Sequence, residues 1–158
     1  MIINIIFHIF IWNNFFIYNY IMENIDKIYI QLFTIFLIFI LFDVSVLYIN
    51  RNMYNTQFHK INNSPLILDS NFLIYCLITY LLLTYILFYF IIYNKYIISI
   101  ADASLLGILI YGIYNFTNKA TIPKWGLYES IVDTSWGGLL FAIVTVITSF
   151  IFKIKITV

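Results

Sequence analysis

Two carboxylates, Asp43 and Asp133, stand inside or at the edge of long apolar runs, and Asp102 stands near the start of another. An acid pair in such surroundings can supply general acid–base chemistry or hold a polar ligand head. Near the end of the run before Asp133, the stretch "YGIYNFTNKATIPKWG" (Tyr111 to Gly126) gathers amides and hydroxyls where apolar residues would otherwise continue. Tyr111, Asn115 and Asn118 recur at i, i+4 and i+7, so they share one helical face. Asp133, Trp136 and Gly137 share a face by the same rule. Asn amides and Tyr hydroxyls can hold a ligand's polar head without contributing a full charge. The candidate ligand-binding set is therefore Asp43, Tyr111, Asn115, Asn118, Asp133 and Trp136.

The elements that must position these residues follow from composition. The 158-residue chain is 63% hydrophobic and 21% aromatic but only 9% charged. A water-soluble domain carries about a quarter charged residues, because it must present a solvated surface. Lipid is the solvent for most of this chain, and its expected partner is the bilayer of an integral membrane protein. A formal net charge of +1 gives no electrostatic footprint for nucleic acid. The richness in Ile, Asn, Tyr, Phe and Lys is a compositional bias, so Asn abundance alone carries no chemistry. Cys76 is the sole cysteine, which rules out an intramolecular disulfide.

A spanning helix takes about 20 mainly apolar residues. Four windows meet this: about 28–49, 72–93, 97–115 and 131–152. They lack the alternation of a membrane barrel, so the expected fold is all-α, an integral membrane bundle of four transmembrane helices. Residues 23–158 form a single four-helix membrane domain, preceded by an apolar extension over 1–22. That extension carries Asn4, His8, Asn13, Asn14 and Asn19 and has neither a basic start nor a small-residue cleavage site, unlike a signal peptide. It reads as a weak fifth helix, an interfacial segment or sequence upstream of a start at Met22, with an ancillary segment outside the main bundle the favoured expectation.

Asn94, Lys95 and Tyr96 make a very short link, which predicts a tight antiparallel hairpin between the second and third windows. Asn50 to Asn71 and Phe116 to Ser130 are expected as long loops on one membrane face, here side B; Lys27 marks side A. Asp43 then lies about 9 Å inside side B at 1.5 Å per residue. An Asn amide or Tyr hydroxyl of the third window is its expected partner, with Arg51 more distant. Asp133, two residues into the fourth window, could equally cap that helix; Asp102 reads as a cap or a snorkelling residue. Basic residues tie at four on each side: Lys27, Lys95, Lys153 and Lys155 against Arg51, Lys60, Lys119 and Lys124. Lys153 and Lys155, directly following a span, tip side A towards the cytoplasm.

Other signals read as architecture. Ala103 and Gly107, with Gly112 nearby, and Gly137 with Gly138 suit close helix packing. Trp12, Trp125 and the tyrosines near span ends suit an interfacial aromatic belt. His59 with Asp43 and Asp133 lacks any metal-ligand spacing, so no metal is expected. No cofactor can be named. The sequon at Asn62 to Ser64 reads as chance in so Asn-rich a chain.

Ala101 to Leu140, "ADASLLGILIYGIYNFTNKATIPKWGLYESIVDTSWGGLL", resembles the core of a family of predicted small integral membrane proteins, domain of unknown function two-one-seven-seven. The resemblance rests on Tyr114, Asn115, Phe116, Thr117, Asn118, Ala120 and Thr121, then Trp125, then Val132, Asp133, Trp136 and Gly137. It extends over about residues 28–152, with Asp43 in "LFDVSVLYI" matching the family's acid near the end of its first helix. At Asn115 the family motif has Asp, so here a neutral amide replaces an ionisable group. The resemblance implies a four-helix membrane architecture and marks the side B cluster; it implies no substrate.

Three functions compete at this point. One is a protein that binds or transports a small molecule or lipid through the side B site, for which a homo-oligomer is expected because four helices are few for a monomeric transporter. Another is a membrane-embedded enzyme using Asp43 and Asp133. The third is a structural or assembly subunit whose polar cluster only sets helix register.

Overall fold

The computed structural model describes residues 2–64 and 67–157, with side chains from Ile25 onward. The expected extension over 1–22 lies outside the residues described in side-chain detail. In chain order the elements are α1 (Ile2–Ile49), α2 (Arg51–Asn62), α3 (Ser70–Leu87) continued by a π-helical turn (Phe88–Ile92), β1 (Ile97–Ser99), α4 (Ile100–Thr121), α5 (Leu127–Phe152) and β2 (Lys155–Thr157). Among the described residues, four helical stretches are long and apolar enough to cross a membrane: Ile25–Ile49, Ser70–Ile92, Ile100–Thr121 and Leu127–Phe152. The all-α bundle of four spans expected from the sequence is what the chain forms.

The outer surface is apolar as lipid contact requires, with Tyr29, Leu41, Leu73, Ile113 and Phe150 exposed. The core is a smaller set in which Ile35 and Phe39 of α1 meet Leu87 and Ile91 of the α3 arm and Leu140, Phe141 and Val144 of α5. Phe39 and Phe141 meet edge to face with ring centroids 5.1 Å apart. Without a hydrophobic drive between helices inside lipid, close approach depends on small residues. Gly107, Gly137 and Gly138 provide it between α4 and α5, where an added Cβ on Gly107 would lie 2.2 Å from the Gly137 carbonyl oxygen.

Three sequence expectations need correction. The link at Asn94 to Tyr96 does not produce a tight helical hairpin. The glycine seam draws α4 onto α5 instead, and α3 packs on α1. The segment after Asn50 is not an open loop, because α2 occupies most of it. Its inward stripe of Met53, Tyr54, Gln57, Phe58 and Ile61 follows helical spacing. The third and fourth spans also extend further towards side B than expected, leaving only Ile122 to Gly126 between them.

The starts of α3 and α4 follow ordinary capping chemistry. Asp69 accepts from the Phe72 amide at 2.8 Å, and Ser99 accepts from the Asp102 amide at 3.0 Å. Asp102 itself is not the N-cap, a place Ser99 holds, but lies in the first turn of α4, where a negative charge suits the helix N-terminus. On side A, β1 and β2 form a short parallel pair in the register Ile97↔Lys155, Ile98↔Ile156 and Ser99↔Thr157.

Candidate functional site

The longer α5 changes the place of Asp133. The helix begins at Leu127 after an N-cap at Gly126, and its first-turn acid is Glu129. Asp133 therefore lies six residues in, about 9 Å deep at 1.5 Å per residue, and is not the capping residue of that helix. Asp43 lies six residues before Ile49 on α1, so the two acids sit at matching depths below side B.

Each carboxylate accepts two hydrogen bonds from other helices. Asp43 Oδ2 receives the Tyr80 hydroxyl of α3 at 2.9 Å, and Asp43 Oδ1 receives the Trp136 indole Nε1 of α5 at 2.7 Å. Asp133 Oδ2 receives Asn115 Nδ2 of α4 at 2.6 Å, and Oδ1 receives the Tyr54 hydroxyl of α2 at 3.1 Å. Asn115 is only 2% exposed, and its amide also donates to the Tyr111 carbonyl at 3.0 Å. Asp43 thus joins α1, α3 and α5, while Asp133 joins α2, α4 and α5.

This pairing corrects the expected partners of Asp43. Its donors come from the second and fourth spans rather than the third, and the Asn amide of the third span serves Asp133. The Arg51 guanidinium lies over the Tyr48 ring, 4.8 Å from its centroid, rather than on a carboxylate. All four donors to the two acids are uncharged.

The remaining candidates divide. Tyr111 is half-buried, and its ring packs against the bare Cα of Gly137, where a Cβ would come within 2.3 Å. Asn118 is half-buried further along α4, and its backbone carbonyl accepts from the Ile122 amide at 2.7 Å. Trp125 is not a freely exposed anchor: its ring meets Tyr114 edge-on, its carbonyl accepts from Lys119 Nζ at 2.7 Å, and its indole nitrogen is buried without a partner. His59 is exposed on α2. Among the described residues no group of three or more His, Cys, Asp or Glu is placed to hold a metal ion.

Tyr54 and Tyr80 are the site residues that sequence reasoning passed over. Tyr80 sits in the charge-free second window, one of many tyrosines, and nothing local distinguishes it. Tyr54 could have been found from the amphipathic stripe of α2, which a loop assignment hides. Burial, followed by the charge of Asp133 and the hydrogen bond to it, holds the Tyr54 phenol well above its ordinary pKa, and Asp43 adds a further push. The Tyr54 hydroxyl thus lies in the field of both acids. One turn along the same face, Gln57 is 5% exposed and neither of its amide atoms has a protein partner.

Four apolar spans around a buried polar cluster, with charge confined mostly to the ends, define a small multi-pass integral membrane protein. The chain belongs to the family described as Predicted membrane protein (DUF2177), which matches residues 25–150. That match takes in the first three spans whole, all but the last two residues of the fourth, and both acids. No curated protein and no solved structure matches the chain.

Proposed function

We propose that the side B cluster binds a small molecule or lipid whose polar head brings a positive charge, a protonated amine being the simplest chemistry. The observation that carries this reading is that two acids withdrawn from the surface, Asp43 buried and Asp133 half-buried, receive only neutral donors. A charged Asp inside a membrane costs roughly 2.5–3.5 kcal/mol at the helix centre. Neutral hydrogen bonds offset part of that cost, and a cationic head would offset the remainder. Gln57, buried beside Tyr54 with its amide unpartnered, offers such a head a further donor and acceptor. A ligand would enter by displacing Tyr54, whose helix lies at the side B surface.

The test is native mass spectrometry of the protein released from nanodiscs, with wild type beside Asp43→Asn and Asp133→Asn. A defined extra mass on the wild type that folded variants lack supports the reading and identifies the ligand class. A second reading has its own support, since the two acids link all five helices and would serve as pure architecture. It predicts no bound mass on any form and loss of helix packing in the Asn variants.

A further inference from the structure

The opposite end of the bundle holds a second polar feature that the acid cluster does not use. A hollow of about 660 Å³ opens at side A, between the start of the α1 span, the turn after the π-helical segment and the end of α5. That volume is in the usual range of small-molecule sites. Lys27, Lys95 and Lys153, one from each of those three places, line it together with Gln31 and Tyr93. Among the described residues that line it, none is acidic. Gln31 is only 8% exposed and lines the hollow from a position withdrawn from the surface.

The placement of the lysines is built into the fold. Lys95 and Lys153 each come two residues before a paired strand position, Ile97 and Lys155, and the parallel register sets those positions side by side. Lys153 adopts φ 53°, the left-handed turn that ends α5, and Lys95 Nζ donates to the Phe90 carbonyl in the middle of the π-helical turn. Lys27 approaches from α1. Three cations from three separate elements therefore converge at the level where the spans end. Exposed apolar side chains flank the site, with Phe150 86% and Ile151 50% exposed.

We infer that this hollow is a binding site for a phosphate group, held by Lys27, Lys95 and Lys153 with the Gln31 amide. Basic pockets between transmembrane helices suit anionic headgroups, and a soluble phosphate presents the same chemistry. The inference is independent of the proposed side B ligand.

The experiment uses the full chain in nanodiscs. Lipid retention is read by native mass spectrometry in equimolar phosphatidylglycerol and phosphatidylcholine. Inorganic phosphate binding is read by ³¹P NMR line broadening in phosphatidylcholine alone. Wild type is compared with Lys27→Gln, with Lys27→Gln/Lys95→Gln/Lys153→Gln, and with Arg51→Gln/Lys60→Gln/Lys124→Gln, which removes equal charge from side B. The expected result is a preference of about tenfold or more for one phosphate source in wild type and in the side B variant. It falls several-fold in Lys27→Gln and is lost in the side A triple variant. Preference for phosphatidylglycerol assigns a lipid headgroup, and broadening by inorganic phosphate assigns a soluble anion. Absence of both in wild type, or equal loss in the two triple variants, overturns the inference. If the side A triple variant fails to fold, Lys27→Gln beside Lys27→Arg decides: equal retention in both overturns it, and loss in Gln with rescue in Arg upholds it.

Discussion

The Trp136 indole donates to Asp43 Oδ1 at 2.7 Å across 93 residues of chain, tying the first span to the last. Together with the Tyr80 hydroxyl on the other oxygen, it means that this acid is held from two helices at once. Trp136→Phe keeps an aromatic ring but deletes the donor. It should destabilise the folded protein by about 1–3 kcal/mol, the usual cost of leaving a buried acceptor short of a partner. Tyr80→Phe should cost a similar amount. Unfolding in mixed micelles would check both, and the double variant should depart from additivity because the two bonds share one carboxylate.

The glycine seam makes a graded prediction. Gly107→Ala sets a methyl against the Gly137 carbonyl at 2.2 Å, and backbone cannot swing aside. Gly112→Ala meets only the Thr134 methyl at 3.4 Å, which is near ordinary contact. Gly107→Ala should therefore cost about 1–3 kcal/mol or more through overpacking, while Gly112→Ala should be nearly neutral. Thermal unfolding monitored by size-exclusion chromatography separates the two; equal melting points would contradict the packing assigned to α4 and α5.

Tyr54 gives a pH dependence with a definite sign. Its phenol has a raised pKa in the folded state, so the neutral form is the one the fold favours. The stability this contributes is fully present below about pH 10, the ordinary phenol value, and is lost as pH rises beyond it. Limited proteolysis of α2 should accelerate above pH 10. In Tyr54→Phe, α2 should be cut faster at neutral pH and show a smaller alkaline increase, because the titrating group and its bond to Asp133 are both gone.

Capping supplies a local prediction. Ser99→Ala removes the side chain that accepts from the Asp102 amide, and Asp69→Ala removes the acceptor for the Phe72 amide. Each should cost about 1 kcal/mol. Hydrogen exchange should quicken in the first turn of the affected helix and leave the Asp43 and Asp133 helix turns unchanged.

The sequence by itself determined the solvent of this protein and the number of its crossings. Apolar run length and scarcity of charge depend on composition along the chain, and no packing partner can alter them. It also determined that Asp43 and Asp133 lie near the same face, because alternating crossings put the end of the first span and the start of the last together. Residues such as Asn115, Trp136 and Gly137 were legible because a helical repeat places them from spacing alone.

Only the tertiary structure decided which donor meets which acid. Tyr80 and Tyr54 reach their carboxylates from helices whose rotation is set by side-chain packing, and one tyrosine among many has no distinguishing local context. Helix pairing was likewise decided in three dimensions: a short link at Asn94 favours neighbours in sequence, but the glycines of α4 and α5 let their backbones approach, and packing outweighed proximity. The side A hollow belongs to the same class. Lys27, Lys95 and Lys153 are scattered along the chain as ordinary span-end lysines, and they converge only because the β1–β2 pair sets the segments of Lys95 and Lys153 side by side, with Lys27 at the start of the α1 span lining the same hollow.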